Sequence, residues 1–395
     1  MRTLDSISFA GKHVLLRADF NVPIESGEIS DDGRIQAAIP TLSEILNQNP
    51  ASILITAHLG RPDGVVDQTY SLAPVVNRLS KLLKKPVNLL AHQDLFSMLS
   101  QQELSGIYVL ENIRFDPRET SKSESERIQL AKELTRLADV FVSDGFGVVH
   151  RKQASVYDVA KFVPAVAGRL IEREIEVFNR VLNNPSRPYT VILGGAKVAD
   201  KIKVVDNLIQ QADSLLIGGG MAYTFLHAMG FEVGDSLLDL DSIEAVKSSI
   251  EKAEANQVDL IVPVDVVVSR EFSDSAERKI LDADAIETGW MGLDIGPKTQ
   301  KLFADQIAKS ATVVWNGPVG VFEMLPFSEG TKSVAYAIVE CSGFTVIGGG
   351  DSAAAIRALG LSENLFDHVS TGGGASLEYL EGKQLPGLMC LMEDM

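Results

Sequence analysis

The chain has 395 residues, of which 45% are hydrophobic and 23% are charged, a composition typical of a globular protein of two or three domains. A formal net charge of −17 argues against a general binder of nucleic acid or anionic membranes, although a local cluster of cations could still bind a small anionic substrate. The two cysteines, Cys341 and Cys390, lie far apart and suit neither a disulfide framework nor a zinc site, so we expect a reducing compartment, the cytoplasm.

The start of the chain lacks a basic region followed by a long apolar run, and no stretch of about 18 apolar residues occurs in it. We therefore expect neither a signal peptide nor a membrane span. The six histidines are dispersed, and none pairs with another at the spacing of metal ligands.

In the first half, short β-rich runs are followed by polar turns and then by helical patterns. Strands are predicted at His13–Ala18, Ser52–Ala57, Val87–Leu90, Ile107–Leu110 and Val140–Ser143. An amphipathic helix is predicted over Glu124–Leu137. Because strands and helices alternate, we expect a parallel sheet with helices on both faces.

A longer amphipathic helix is predicted next, from about Pro164 to Asn184, and Pro185 ends it. Taken alone, this pattern describes an ordinary packed helix. Because an α/β half lies on either side, we expect it to act as a hinge, with domains at 1–164 and 185–383 and the hinge helix at 165–184.

In the second half, the same alternation continues. Strands are predicted at Thr190–Leu193, Ser214–Ile217, Asp259–Val262, Thr312–Trp315, Phe344–Ile347 and His368–Ser370. A helix is predicted over Ser242–Ala255. The predicted fold class is α/β, with two doubly wound parallel-sheet (Rossmann-like) domains joined by a central hinge helix.

Ligands of open α/β sheets bind beyond the carboxyl ends of the strands, and in the first half the loops at these ends carry cations. The cationic residues and the polar residues beside them are Arg17, Asp19, Asn21, Arg34, His58, Arg61, Arg114, His150 and Arg151. Surface loops often contain arginine, and Asp19 and Asn21 could simply form a turn. The recurrence at successive strand ends favours a basic basin for phosphate and carboxylate groups.

In the second half, the corresponding loops are rich in glycine, which lets backbone N–H groups approach an anion. They contain Gly194-Gly195, Gly218-Gly219-Gly220, Gly317, Gly348-Gly349-Gly350 and Gly372-Gly373-Gly374. Lys197 and Lys201 lie four residues apart, one helical turn, and could both face a phosphate chain. Asp351 could be a helix N-cap or a Mg²⁺ ligand, and Glu323 could bind ribose hydroxyls or be a surface acid.

The chain contains neither GxxxxGK[ST] nor the protein-kinase motifs, since Lys152 rather than Asp follows His150-Arg151. A Rossmann oxidoreductase would need GxGxxG after an early strand, where arginine and histidine stand instead. An anion-binding half and a nucleotide-binding half suit phosphoryl transfer, which depends on positioning and charge neutralisation.

Long motifs in order carry a resemblance over essentially the whole chain. They are RADFNVP, HLGRP, ENIRF, FGVVHR, LGGAKVADKI, GLDIGPKT, WNGPVGVFE, GGGDSAAA and STGGGASLEYLEGK. The chain resembles the phosphoglycerate kinase family. The resemblance implies Mg²⁺-dependent phosphoryl transfer between 1,3-bisphosphoglycerate and ADP, adenine as the base, a monomer without nucleic-acid or membrane partners, and a C-terminal tail (about 384–395) packed on the first domain.

The resemblance also implies roles for residues at matching positions. The phosphoglycerate ligands would be Asp19, Asn21, Arg34, His58, Arg61, Arg114 and Arg151. The nucleotide ligands would be Lys201, Gly292, Asn316, Glu323, Gly349, Gly350, Asp351 and Ser352, with Asp351 on the metal. The catalytic set would be Arg34, Lys197, Gly372 and Gly373, which orient the carboxylate and stabilise the transferred phosphoryl group.

One departure lies after His150-Arg151, where the family usually continues Ala-His and this chain has Lys152-Gln153. Arg151 itself is present, so the expected substrate contact survives, while a neighbouring polar contact is in doubt. A catalytically silent relative that binds nucleotide or protein is the alternative function, although every expected cationic position is filled.

Overall fold

The computed structural model describes residues 1–95, 105–136 and 138–392, and the chain divides into two compact units. Unit 1 comprises Met1–Glu176 and Gln384–Met395, and unit 2 comprises Val177–Lys383. Each predicted strand is present, and its ends agree with the prediction to within one residue. The last residue of the predicted helix Glu124–Leu137 lies outside the described residues.

The main sheet of unit 1 has six parallel strands. Its strands and a small hairpin are β1 (His13–Ala18), β2 (Ile24–Glu25), β3 (Glu28–Ile29), β4 (Ser52–Thr56), β5 (Asn88–Leu90), β6 (Gly106–Leu110), β7 (Val140–Asp144) and β8 (Ala165–Ala167). The sheet order is β5-β6-β4-β1-β7-β8, and β2 pairs with β3. The order therefore reverses at β1, so the carboxyl ends of β1 and β7 border a crevice.

Helices flank this sheet and complete the core of unit 1. They are α1 (Gly33–Ala37), α2 (Ile39–Asn47), α3 (Ala73–Leu83), α4 (Glu124–Leu134) and α5 (Arg169–Asn183). Every residue of β4 and β7 is buried, as expected for strands covered on both faces. The helix Pro386–Met389, near the end of the chain, belongs to unit 1. In it, the Gly387 N–H donates to the Val149 carbonyl at 2.8 Å.

The predicted helix from Pro164 to Asn184 is shorter than expected, because Ala165–Ala167 forms β8 and α5 begins only at Arg169. The β8 strand pairs in parallel with β7, so a non-local partner outweighs the helical pattern at this point. Gly168 separates strand from helix at a site where a Cβ would clash with the Asp144 carboxylate. That carboxylate accepts the Leu170 N–H at 3.0 Å and so caps the start of α5.

The main sheet of unit 2 also has six parallel strands. They are β9 (Tyr189–Leu193), β10 (Ser214–Ile217), β11 (Asp259–Ile261), β15 (Thr312–Asn316), β16 (Phe344–Gly348) and β17 (His368–Val369). Their order, β11-β10-β9-β15-β16-β17, is the dinucleotide-fold order 3-2-1-4-5-6. The order reverses between β9 and β15, which locates the expected ligand crevice after Leu193 and Asn316.

Seven helices among the described residues belong wholly to unit 2. They are α6 (Ile202–Leu208), α7 (Met221–Ala228), α8 (Ile243–Ala255), α9 (Pro297–Ile307), α10 (Glu329–Glu340), α11 (Gly350–Ala358) and α12 (Gly374–Leu380). Trp315 is fully buried in the core between sheet and helices, with Phe303 and Ile347 in the same cluster. No helix in the described part of the chain is long and apolar enough to cross a membrane.

Unit 2 also contains an antiparallel sheet that the sequence did not predict. It consists of β12 (Asp265–Ser269), β13 (Arg278–Asp282) and β14 (Met291–Ile295), in the order β13-β12-β14. The β13 strand is charged and half exposed, so it lacks the apolar run by which the other strands were recognised. A core of its own, which includes Trp290, holds this sheet against α7.

Candidate active site

In unit 1, the parallel strands bring the predicted cationic loops to one edge of the sheet. His58 and Arg61 follow β4, Arg114 follows β6, and Asp19 follows β1. Burial lowers the pKa of Arg114, the charges of Glu119 and Asp19 oppose this shift, and the charges of Arg61 and Arg151 add to it, so Arg61 and Arg151 lie close enough to repel Arg114. Arg61 and Arg151 are exposed. A cluster of guanidinium groups of this kind suits an anionic ligand.

Asp19 and Asn21 organise the loops around this cluster. The Asp19 carboxylate accepts a hydrogen bond from the Asn21 N–H at 3.1 Å and pairs with Arg34 at 3.0 Å. The Asn21 side-chain oxygen accepts the Gly60 N–H at 2.8 Å. Burial favours a raised pKa for Asp19, but the charges of Arg34 and Arg17 and the hydrogen bond from the Asn21 N–H outweigh it, so the pKa is lowered. Asp19 is therefore both a turn former and a partner of the cations.

His58 does not add a charge to the basin, which corrects the expectation that histidine contributes to its basic character. Its side chain is buried, and burial lowers its pKa to about 3, with the charges of Arg17, Arg114 and Arg34 acting in the same direction against Asp19. The imidazole is therefore neutral at physiological pH. The cationic character comes from the arginines.

Arg114 is held by contacts that the sequence did not predict. Its Nη1 donates to the Gly60 carbonyl at 2.8 Å, while its buried Nε has no partner among the described residues. The buried Asn112 side chain accepts the Arg114 N–H at 3.1 Å and donates to the Leu59 carbonyl at 2.7 Å. Asn112 thereby joins the loops after β4 and β6, and its place in the ENIRF motif was the only available signal.

In unit 2, Lys201 joins the two strand ends at which the sheet order reverses. Its Nζ donates to the Gly194 carbonyl at 2.7 Å, to the Asn316 carbonyl at 3.0 Å and to the Asn316 side-chain oxygen at 2.7 Å. Burial lowers the pKa of Lys201 to about 8, although the charges of Asp351 and Asp200 oppose the shift. A half-buried ammonium in this crevice is suited to a phosphate oxygen.

The predicted one-turn spacing of Lys197 and Lys201 is wrong, because α6 begins only at Ile202 and Lys201 is its N-cap. The preceding residues form turns, in which the Val198 carbonyl accepts the Lys201 N–H at 2.9 Å. Lys197 is consequently exposed, while Lys201 is half buried. The two ammonium groups have different environments, which a shared helical face would not provide.

A cavity of about 470 Å³ opens beside these strand ends within unit 2. Three predicted residues, Gly292, Glu323 and Asp351, line it. Position 292 has no room for a side chain, because a Cβ there would clash with the Tyr223 ring. The apolar lining is supplied by residues such as Leu237, Phe272, Met291, Leu293 and Val321. The volume and lining suit a flat heteroaromatic ligand.

The loop after β16 carries the remaining predicted nucleotide ligands. Gly349, with φ of +89°, is the N-cap of α11, so Asp351 is not the N-cap and stands exposed in the first turn. The Ser352 hydroxyl accepts the Gly317 N–H at 2.7 Å. Asn316 is buried, and its Nδ2 has no partner among the described residues. Gly350 has open space around it.

Gly372 and Gly373 lie just before α12. The Gly372 N–H donates to the Ser370 hydroxyl at 3.1 Å, and a phosphoryl group would compete with that bond. Gly373, with φ of +52°, is the N-cap of α12. Both belong to unit 2, as Lys197 does, whereas Arg34 belongs to unit 1.

The departure at Lys152-Gln153 leaves Arg151 in place. Gln153 is buried, its carbonyl accepts the Tyr157 N–H at 2.9 Å, and its Oε1 has no partner within the described ranges. The Lys152 ammonium lies 5.4 Å from the Tyr157 ring centre. The two residues therefore serve the local turn of unit 1.

Comparisons with known proteins agree with this architecture along the whole chain. The model of the phosphoglycerate kinase family matches residues 4–383. The phosphoglycerate kinase of Leifsonia xyli subsp. xyli is 54% identical to this chain, and the match covers 99% of each of the two sequences. The phosphoglycerate kinase of Bifidobacterium adolescentis is 53% identical, and the match covers 99% of this chain and 100% of that protein. The solved phosphoglycerate kinase structure from Coxiella burnetii superposes with a TM-score of 0.87 at 38% identity, covering 98% of both chains. The chain belongs to the phosphoglycerate kinase family.

Proposed function

We propose that the chain catalyses reversible phosphoryl transfer from 1,3-bisphosphoglycerate to ADP, which yields 3-phosphoglycerate and ATP. The bond between the acyl oxygen and the phosphorus breaks, and an oxygen of the terminal ADP phosphate forms the new bond. The observation that carries the proposal is the pairing, in one chain of this family, of an arginine cluster in unit 1 with a cavity at the sheet switch point in unit 2.

In unit 1, the phosphoglycerate would be bound by the strand-end cluster. Its members are Asp19, Asn21, Arg34, His58, Arg61, Arg114 and Arg151. The buried Nε of Arg114, which has no partner in the described part of the chain, supports this role because a ligand oxygen would satisfy it. Asp19 and Asn21 hold the loops and orient Arg34, whose fork would contact the reacting carboxylate.

In unit 2, the cavity would take the adenine and ribose, with Gly292 beneath the base and Glu323 accepting from ribose hydroxyls. The phosphates would extend toward Lys201, Asn316, Gly349, Gly350 and Ser352. Asn316 Nδ2 is buried without a partner among the described residues, and a phosphate oxygen would supply one. Lys197 and the N–H groups around Gly372 and Gly373 would stabilise the transferred group.

Mg²⁺ would be held chiefly by the phosphates and by Asp351. No cluster of three or more His, Cys, Asp or Glu side chains in the described ranges could bind a metal ion by itself. A single carboxylate combined with phosphate oxygens and water is nevertheless the donor set that Mg²⁺ commonly takes, so Asp351 on the cavity wall fits. When bound, the ion would neutralise charge on the phosphates.

We also propose that residues 1–164, with the tail from about 384, form the phosphoglycerate domain and residues 185–383 the nucleotide domain. The division of the chain into units supports this, since its boundary at Glu176 and Val177 falls within α5. Catalysis would then require closure of the domains about that helix. We further propose a cytoplasmic monomer whose partners are these small molecules.

The reaction is tested by following ATP-dependent phosphorylation of 3-phosphoglycerate with Mg²⁺, coupled to an NADH-consuming dehydrogenase. Turnover should vanish when either ATP or 3-phosphoglycerate is omitted. Retained nucleotide binding by calorimetry without any turnover would instead indicate the silent relative. Purified coupling enzyme alone is the control.

Nucleotide binding should depend on pH through Lys201. Because the pKa of the free ammonium is lowered to about 8, part of the protein has lost this charge near that pH, and phosphate binding should restore the proton. ADP affinity should therefore fall by up to about tenfold per unit as the pH rises above the pKa. Calorimetry in two buffers of different ionisation enthalpy measures the proton uptake.

Lys201→Met should weaken ADP binding and abolish that uptake. The exposed Lys203, two residues later, provides the matched control as Lys203→Met. Equal proton uptake in the original chain and in Lys201→Met would refute the assignment of this charge to Lys201.

A further inference from the structure

A buried chain of hydrogen bonds runs from Glu119 to His58 beneath the arginine cluster of unit 1. The Glu119 carboxylate accepts the Ser155 N–H at 2.9 Å and the Ser155 hydroxyl at 2.6 Å. The Ser155 oxygen in turn accepts from Arg17 Nε at 2.9 Å. Arg17 Nη2 lies 3.4 Å from His58 Nδ1 in hydrogen-bond geometry. All four side chains are at most 4% exposed.

Arg17 has little freedom to turn away from the histidine. Its Nη1 donates to the carbonyls of Ala18 and Thr56 at the ends of β1 and β4. Its Nε donates to the Ser155 hydroxyl, and Ser155 in turn donates its N–H and its O–H to the two carboxylate oxygens of Glu119. Glu119 is also the charge that most favours the protonated form of this fully buried guanidinium, whose pKa burial lowers. The hydrogen bonds of Nε and Nη1 therefore determine the direction in which Nη2 points.

A guanidinium has five N–H donors and no acceptor. A nitrogen that contacts it in a hydrogen bond must supply the lone pair, so Nδ1 of His58 carries no proton. The ring proton of a neutral imidazole must then reside on Nε2. No atom among residues 1–95, 105–136 and 138–392 makes a hydrogen bond with that Nε2.

We infer that Glu119, Ser155 and Arg17 are positioning residues that fix His58 in the tautomer with its proton on Nε2. The charged groups that face the imidazole are Asp19, Arg17, Arg114 and Arg34. In this tautomer, His58 offers an uncharged N–H donor to an oxygen of the anionic substrate and does not exchange protons with it. The inference rests on the proposed function only for the identity of that substrate.

The tautomer is measured directly by NMR of the full chain with ¹⁵N,¹³C-labelled histidine, recorded without substrates. There are six histidines, and loss of one set of signals in His58→Gln assigns the residue. Ring-proton to nitrogen correlations should show a protonated Nε2 and an unprotonated Nδ1, unchanged between about pH 5 and pH 8. A proton on Nδ1, or titration within that range, would overturn the inference.

Ser155→Ala tests the role of these hydrogen bonds, because it removes the hydroxyl that links Glu119 to Arg17. We expect a mixture of His58 tautomers and a KM for 3-phosphoglycerate raised roughly fivefold to tenfold, with kcat changed by less than about twofold. Ser143→Ala is the matched control, since Ser143 is also a buried serine at a strand end and its hydroxyl has no partner among the described residues. A tautomer and KM in Ser155→Ala equal to those in Ser143→Ala would contradict the proposal.

Three other variants keep the test decisive if Ser155→Ala does not fold. Glu119→Gln keeps the shape of the side chain but removes its charge, and it should also mix the tautomers. His58→Gln places an amide N–H near the position of Nε2, whereas His58→Asn cannot reach it, so the glutamine variant should retain more 3-phosphoglycerate binding. An equal loss of 3-phosphoglycerate binding in the two variants would contradict an Nε2 donor.

Because the NMR measurement needs no substrate, absence of turnover would refute the proposed function while leaving the tautomer measurable.

Discussion

Replacing Arg34 with alanine is expected to lower kcat by about 10² or more while leaving the fold intact. One guanidinium N–H of Arg34 donates to Asp19 at 3.0 Å, and its other donors have no partner in the described part of the chain, so a ligand could use them. Under the proposed function, those donors would orient the reacting carboxylate and balance charge on the transferring group. The effect on rate should exceed the effect on substrate binding, because charge on the transferring group changes most in the transition state.

The fold should tolerate this substitution because Arg34 is a peripheral member of the cluster. Its side chain is 32% exposed, whereas that of Asp19 is 5% exposed. When Arg34 is removed, the Asp19 carboxylate still accepts the Asn21 N–H and still faces the positive charge of Arg17. We expect a loss of unfolding free energy of only about 1 kcal/mol.

Steady-state kinetics and a thermal melt of the same preparations check both expectations. Arg34→Lys keeps the charge but loses the planar fork, so it separates electrostatics from bidentate geometry. Arg136→Ala removes an exposed arginine of unit 1 and serves as the control. Near-normal kcat in Arg34→Ala would contradict the assigned role, and a rise in KM alone would reduce Arg34 to a binding residue.

The strands, and the sheet edges at which the candidate site residues meet, were predictable because their signals are local. An apolar run such as residues 140–142 of β7 is typical of a strand buried on both faces, and the polar residues that follow it lie at the carboxyl edge of a parallel sheet. The strand-end rule therefore gathered the arginines of unit 1 without any knowledge of their contacts. It also predicted the crevice of unit 2, where Lys201 joins the loops after Leu193 and Asn316.

The features that were missed depend on partners distant in the chain. Ala165–Ala167 is a strand only because it pairs with β7, and β13 is a strand only because it pairs with β12. Phe272 and Leu237 reach the cavity from segments outside the predicted strand-end loops. Glu119 and Ser155 look like surface residues in the sequence, and only the fold buries them beside Arg17.

Lys197→Ala is expected to lower kcat by roughly 10² to 10³ without a measurable loss of stability. Lys197 is exposed in the turn between β9 and α6, so its side chain contributes little to packing. The turn itself is held by other groups: Val198 is fully buried, and its carbonyl accepts the N–H groups of Lys201 and Ile202 at 2.9 Å each. Removing the ammonium should therefore leave the backbone in place.

The expected kinetic pattern differs from that of Lys201→Met. Lys201 is built into the floor of the crevice and should act on nucleotide affinity, whereas Lys197 should act on the transferring group and leave the KM for ATP nearly unchanged. Lys203→Ala, an exposed lysine on the next helix, controls for loss of charge in unit 2. A kcat for Lys197→Ala within about twofold of the control would show that charge at this turn does not stabilise the transition state. The transferred group would then depend on Arg34, on the N–H groups before α12 and on the metal, which are the other groups proposed to act on it.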